Sequence, residues 1–136
     1  MGTLKTFEEL DIWKKGMEIT MKVYELSSTG FFSKDYALKT QIRDACISIT
    51  SNIAEGYERD GVKEQIQFLY YAKGSAGEVR SQLHTAKKLN YIQDTDYYEI
   101  LEILISESKM INGFIKYIKN TGYLGKKYSK TTTITK

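Results

Sequence analysis

Lysines and tyrosines near the carboxyl end are the residues of this chain whose types and spacing suggest chemistry. Lys109, Lys116, Lys119, Lys126, Lys127 and Lys130 are interleaved with Phe114, Tyr117, Tyr123 and Tyr128. Lysine neutralises phosphate and releases condensed counterions, and aromatic rings stack on unpaired bases. Those six lysines with Tyr117 and Tyr123 form the candidate nucleic-acid-binding set. The charge distribution sharpens it. All 17 acidic residues lie at or before Glu107, while residues 109–136 hold seven lysines and no acid, so a formal net charge of +3 conceals a basic end on a mildly acidic body. The plainer reading is a solubilising lysine tail with Phe114 in the core, and the presence of only three arginines favours it.

Catalytic chemistry finds less support. His84 is the only histidine and Cys46 the only cysteine. A lone imidazole without clustered thiols or a spaced acid makes a poor metal site, and the Glu-x-x-His repeat of di-iron bundles is absent. Cys46 falls in an apolar stripe and reads as a buried small hydrophobe rather than an activated thiol. No convergent acid, base and nucleophile can be named. The expectation is therefore no catalytic residue, no metal and no cofactor.

A second polar group lies mid-chain: Gln41, Arg43, Asn52, Glu55, Ser75 and Glu78. If the second and third of four expected helices form a hairpin turning near Arg59, Arg43 falls opposite Ser75 and within a turn of Glu78. The structural reading is an interhelical network that sets register, since breaking a buried charge pair costs about 3–5 kcal/mol. A ligand or RNA site on the same face is the alternative.

The elements that must position these residues are helices. Proline, which costs about 3 kcal/mol inside a helix, is absent from all 136 residues. Four segments carry apolar residues at steps of three and four. The first is expected to start at Thr6, with Glu9 completing a capping box. It shows two stripes, Leu10, Trp13, Met17, Met21, Tyr24 and Ile12, Ile19, Val23, Leu26. A helix apolar on two sides is usually buried on two sides, which points to an oligomer. Ser27–Ser33 breaks the pattern, with Gly30 expected as the C-terminal stop and Ser33 as the cap of the second helix, which carries Leu38, Ile42, Ala45, Cys46, Ile49 and Ile53 and stops at Gly56.

Asp60 should cap the third helix, where Ile66, Leu69, Ala72, Ala76, Val79, Leu83, Ala86 and Leu89 alternate without a slip. Asp96 with Glu99 offers a cap for the fourth, which carries Tyr97, Leu101, Leu104, Ser108, Ile111, Ile115 and Ile118 and ends near Gly122. Short connections force neighbours antiparallel. The expected fold is all-α, an antiparallel up-down-up-down four-helix bundle over 1–122, followed by a mobile lysine- and threonine-rich tail over 123–136. With no long apolar span, no signal-peptide layout and no disulfide framework, a cytoplasmic protein without membrane contact is expected.

Several runs carry a resemblance. Ala37-Leu-Lys-Thr-Gln-Ile-Arg-Asp-Ala45, Ser48-Ile-Thr-Ser-Asn-Ile-Ala-Glu-Gly56, Gly74-Ser-Ala-Gly-Glu78 with Gln82-Leu83, the opening Phe7-Glu-Glu-Leu-Asp-Ile-Trp13 and the Asn90-Tyr-Ile92 turn resemble the bacterial four-helix-bundle family encoded in 23S rRNA intervening sequences. The likeness spans roughly residues 7–118. Thr50 and the neighbourhood of Phe32 stand where that family typically has proline, so the second helix should run straighter here. The resemblance implies a four-helix bundle assembling as a homopentamer. It also implies kinship with the accessory protein of diversity-generating retroelements, which binds nucleic acid and a reverse transcriptase. The expected role is a non-enzymatic oligomeric scaffold that binds RNA, ribosomal or other, through its basic end. The alternative is a module that binds a partner protein without nucleic acid.

Overall fold

The computed structural model describes residues 6–122. Four helices account for nearly all of it: α1 (Asp11–Leu26), α2 (Tyr36–Glu58), α3 (Val62–Lys88) and α4 (Asp94–Thr121), with 3-10 turns at Phe7–Glu9 and Phe32–Lys34. Side-chain contacts give the topology. Thr20 reaches the Cys46 carbonyl, and Arg43 reaches the end of α1, so α1 and α2 run in opposite directions. Lys87 pairs with Asp94 beside the α3–α4 turn, while Lys119 meets Tyr70 at the far end. Lys22 pairs with Glu99, and Gly16 lies against Glu107, closing α4 back onto α1 antiparallel. This is the expected up-down-up-down bundle.

The core follows the helical period. Ile42, Ala45, Cys46, Ile49 and Ile53 of α2 are buried, as are Leu69, Ala72, Ala76, Val79, Leu83 and Ala86 of α3. Each fully buried Ile or Leu contributes about 1.5–3 kcal/mol. α2 and α3 pack on each other most extensively. In α1 the two stripes separate. Ile12, Ile19 and Val23 line the core, whereas Trp13, Met17 and Tyr24 are half-buried and Met21 is 63% exposed.

Helix boundaries differ from expectation for local reasons. Thr6 makes no side-chain cap; Leu10, extended at φ −73° and ψ 130°, is buried and delays α1 to Asp11. Asp35 rather than Ser33 caps α2, its Oδ1 accepting from the Leu38 amide at 3.1 Å. Gly61 precedes α3 without a side-chain cap, and α4 starts at Asp94 with Asp94 and Asp96 in the favourable first turn. Gly122, at φ 64°, ends α4 as anticipated. Gly56 does not stop α2, which continues unbroken past Thr50 to Glu58. A Cβ at Gly56 would lie 3.2 Å from both the Gln65 carbonyl and the Phe68 Cβ, so this glycine serves close helix contact.

Candidate nucleic-acid interface

Lys109, Lys116 and Lys119 all lie exposed on the C-terminal half of α4, because they fall outside the Leu104–Ile111–Ile115–Ile118 core period. Tyr117 is 44% exposed and meets Phe114 edge-on at 6.1 Å, and Phe114 is half-buried against the core. Lys109 lines a shallow depression of about 410 Å³ along α4 with Glu102, Ile105, Ser106 and Met110. Lys119 crosses to α3: its Nζ donates to the Tyr70 hydroxyl at 3.3 Å and sits 5.7 Å from the Tyr70 ring centre. Tyr70 and its neighbour Tyr71 are 43% and 51% exposed. Sequence reasoning missed this pair, although both fall off the apolar period of α3 and so had to face solvent. Tyr123, Lys126, Lys127 and Lys130 lie outside the described residues, as does the whole 123–136 segment.

The mid-chain polar set does not converge. Gly56 meets Gln65 and Phe68, whereas a turn centred on Arg59 would have set it against Val62, so the α2–α3 register differs from the one that paired Arg43 with Ser75. Arg43 instead serves α1. Its Nε donates to Ser27 Oγ at 2.8 Å, and its Nη2 to Ser28 Oγ at 3.0 Å and to the Tyr24 carbonyl at 3.3 Å. Its guanidinium lies 4.3 Å from the Tyr24 ring centre. A fixed cation at the carbonyl-rich end of a helix is favourable, and the planar fork lets one side chain satisfy several acceptors. Glu55 pairs with Arg59 one turn away on α2, and Asn52 donates to the Ser48 carbonyl at 2.8 Å. Ser75 is buried on α3, while Gln41 and Glu78 are exposed. Among the described residues no hydrogen bond joins the α2 members to Ser75 or Glu78. The tie across this hairpin comes from Gln65, fully buried, whose Nε2 donates to the Arg59 carbonyl at 3.0 Å.

His84 is exposed on α3, with its Nδ1 2.7 Å from the Tyr97 hydroxyl. Burial pushes the Cys46 thiol up to about 12, which keeps it protonated and poorly nucleophilic at neutral pH. Among the described residues no group of three His, Cys, Asp or Glu side chains is arranged to hold a metal ion. In the same residues no helix is long and apolar enough to cross a membrane. Glu107 was the other residue missed. It stands three positions after Leu104 and four before Ile111, inside the apolar period, and is fully buried.

These features describe an antiparallel four-helix bundle with a lysine-bearing face on its last helix. A solved structure of a protein of unknown function, from the S23 ribosomal protein family of Bacteroides thetaiotaomicron, has the same fold. It superposes with a TM-score of 0.71 at 22% identity, covering 77% of this chain and 98% of that one. The match of residues 8–113 to the family model described as 23S rRNA-intervening sequence protein shows that the chain belongs to that family. No curated protein matches the chain. Neither the family description nor the solved neighbour's names a catalytic activity.

Proposed function

We propose that this protein is a non-enzymatic, self-assembling scaffold that binds RNA through the basic face of α4. The observation that carries this reading is the placement of Lys109, Lys116, Lys119 and Tyr117 on exposed α4, beyond the last acidic residue, with Lys119 reaching Tyr70. Lysines there would track phosphates, and the exposed tyrosines offer faces for unpaired bases. Assembly fits the outward side of α1, where Met21 is 63% exposed beside half-buried Trp13 and Met17, with Ile47 of α2 44% exposed. A pentamer is the assembly that the family resemblance suggests, and several copies would multiply weak single-chain contacts. The protein-partner alternative draws on the same outward side of α1, since the Ile12–Ile19–Val23 stripe is core. A cytoplasmic location belongs with this reading.

Fluorescence anisotropy with a labelled single-stranded RNA and its duplex, across a salt series, tests the proposal. Each phosphate contact on a single strand contributes about −0.7 to the slope of log K against log salt. Replacing Lys109, Lys116 and Lys119 by glutamine should therefore flatten the slope by about 2, and a chain ending at Gly122 should reveal the share carried by residues 123–136. Light scattering with and without RNA reads the assembly. Absence of salt-sensitive retention by the full chain would refute RNA binding and leave the protein-partner reading.

A further inference from the structure

Glu107 is the only buried acid among the described residues, at 0% exposure, and neither carboxyl oxygen has a hydrogen-bond partner. Its position is a junction of three helices. A Cβ built on Gly16 of α1 would lie 3.1 Å from Glu107 Oε2, 3.0 Å from the Thr50 Cγ2 and 3.1 Å from the Ile49 Cγ2 of α2. The carboxyl thus occupies the recess that a side chain at residue 16 would have filled. Burying an ionised carboxylate without partners is prohibitive, so such a group takes up a proton instead.

We propose that Glu107 is a protonation switch built into the core: held neutral it lets α1 close onto α2 and α4 at Gly16, and once ionised it drives α1 off that junction. The charges around it favour a switch over a permanent ion pair. Lys15, half-buried on α1, is the one charge acting on the carboxyl, and it pulls the proton affinity down against a larger effect of burial. The buried face of α2 brings only Cys46 and Tyr57 as titratable groups, with Cys46 held neutral. The buried face of α3 brings none, and α4 itself adds Tyr97. With no cation inside the core to compensate it, burial moves the Glu107 carboxyl from 4.5 up to about 8. The folded chain therefore holds this proton more tightly than the unfolded chain. The stability it confers is complete below pH 4.5 and is lost as pH rises through 8. α1 is the helix that answers, because at Gly16 it meets the carboxyl with no side chain of its own.

The experiment compares the full chain with Glu107→Gln, a neutral side chain of nearly the same shape, by urea unfolding and amide hydrogen exchange between pH 5 and 9. Relative to the glutamine variant, the folding equilibrium constant of the natural chain should fall several hundredfold over that range, by linkage alone. Exchange protection, corrected for intrinsic pH dependence, should drop first in Ile12–Val23. Parallel pH profiles for the two chains would overturn the proposal, as would a loss of protection spread evenly over all four helices. Should the glutamine variant fail to fold, carbon NMR of the natural chain decides: a Glu107 carboxyl midpoint near 8 supports the switch, and one near 4.5 refutes it.

Discussion

Replacing Gly16 by alanine adds one methyl group where α1, α2 and α4 meet, and the structure allows its effect to be worked through. Alanine is the better helix former by about 1 kcal/mol, so backbone entropy alone would make the variant more stable. Against this stand three atoms 3.0–3.1 Å from the new Cβ: the Thr50 and Ile49 methyls and a Glu107 oxygen. Ile49 is β-branched with one strongly preferred χ1 in a helix, and Thr50 is held by its Oγ1 donating to the Ile47 carbonyl at 3.1 Å. The third is the end of a fully buried side chain. Overpacking of this kind costs about 1–3 kcal/mol. The net expectation is a loss of up to about 2 kcal/mol, or up to about 7 °C in Tm. Gly113→Ala provides the control: it lies mid-α4 with nothing within 4 Å of its Cβ, so only the propensity gain remains, about 0.5–1 kcal/mol. Urea unfolding followed by far-ultraviolet circular dichroism should place the two variants on opposite sides of the natural chain with unchanged m values. A Gly16→Ala variant stabilised as much as Gly113→Ala would refute the three-helix junction on which both this estimate and the role of Glu107 depend.

Two further outcomes follow from the same geometry. Arg43→Ala removes three hydrogen bonds to the end of α1 and the stack on Tyr24, so Tm should fall by an amount corresponding to about 1–2 kcal/mol; Arg43→Lys should recover little of it, because an ammonium cannot reproduce the fork. Cys46, buried with its thiol pushed up to about 12, should stay unreactive toward a disulfide reagent at pH 8 in the folded chain and react promptly once urea unfolds it; rapid reaction without denaturant would place it outside the core.

Periodicity determined most of what was legible beforehand. Residues such as Ile42, Ile49 and Ile53 or Leu69, Ala76 and Leu83 recur once per turn, and any amphipathic helix must hide that stripe, whatever its neighbours are. The fold class, the helix order and the buried thiol therefore follow from the order of residues alone, and so does the exposure of Lys109, Lys116 and Lys119, which lie off the stripe. Tertiary structure decided the rest, because it depends on where a second helix lies. α1 carries two apolar stripes, and only the approach of α2 and α4 at Gly16 selects Ile12, Ile19 and Val23 for the core. Arg43 sits one residue after Ile42, at the edge of a buried stripe, and could serve either adjacent helix; the end of α1 presents it three acceptors and takes its guanidinium. Glu107 shows the division most clearly. Its place in the apolar period was visible, but this carboxyl has room inside the bundle because the facing helix lacks a side chain there, and no single segment of the chain records that its fourth helix would meet Gly16 of its first.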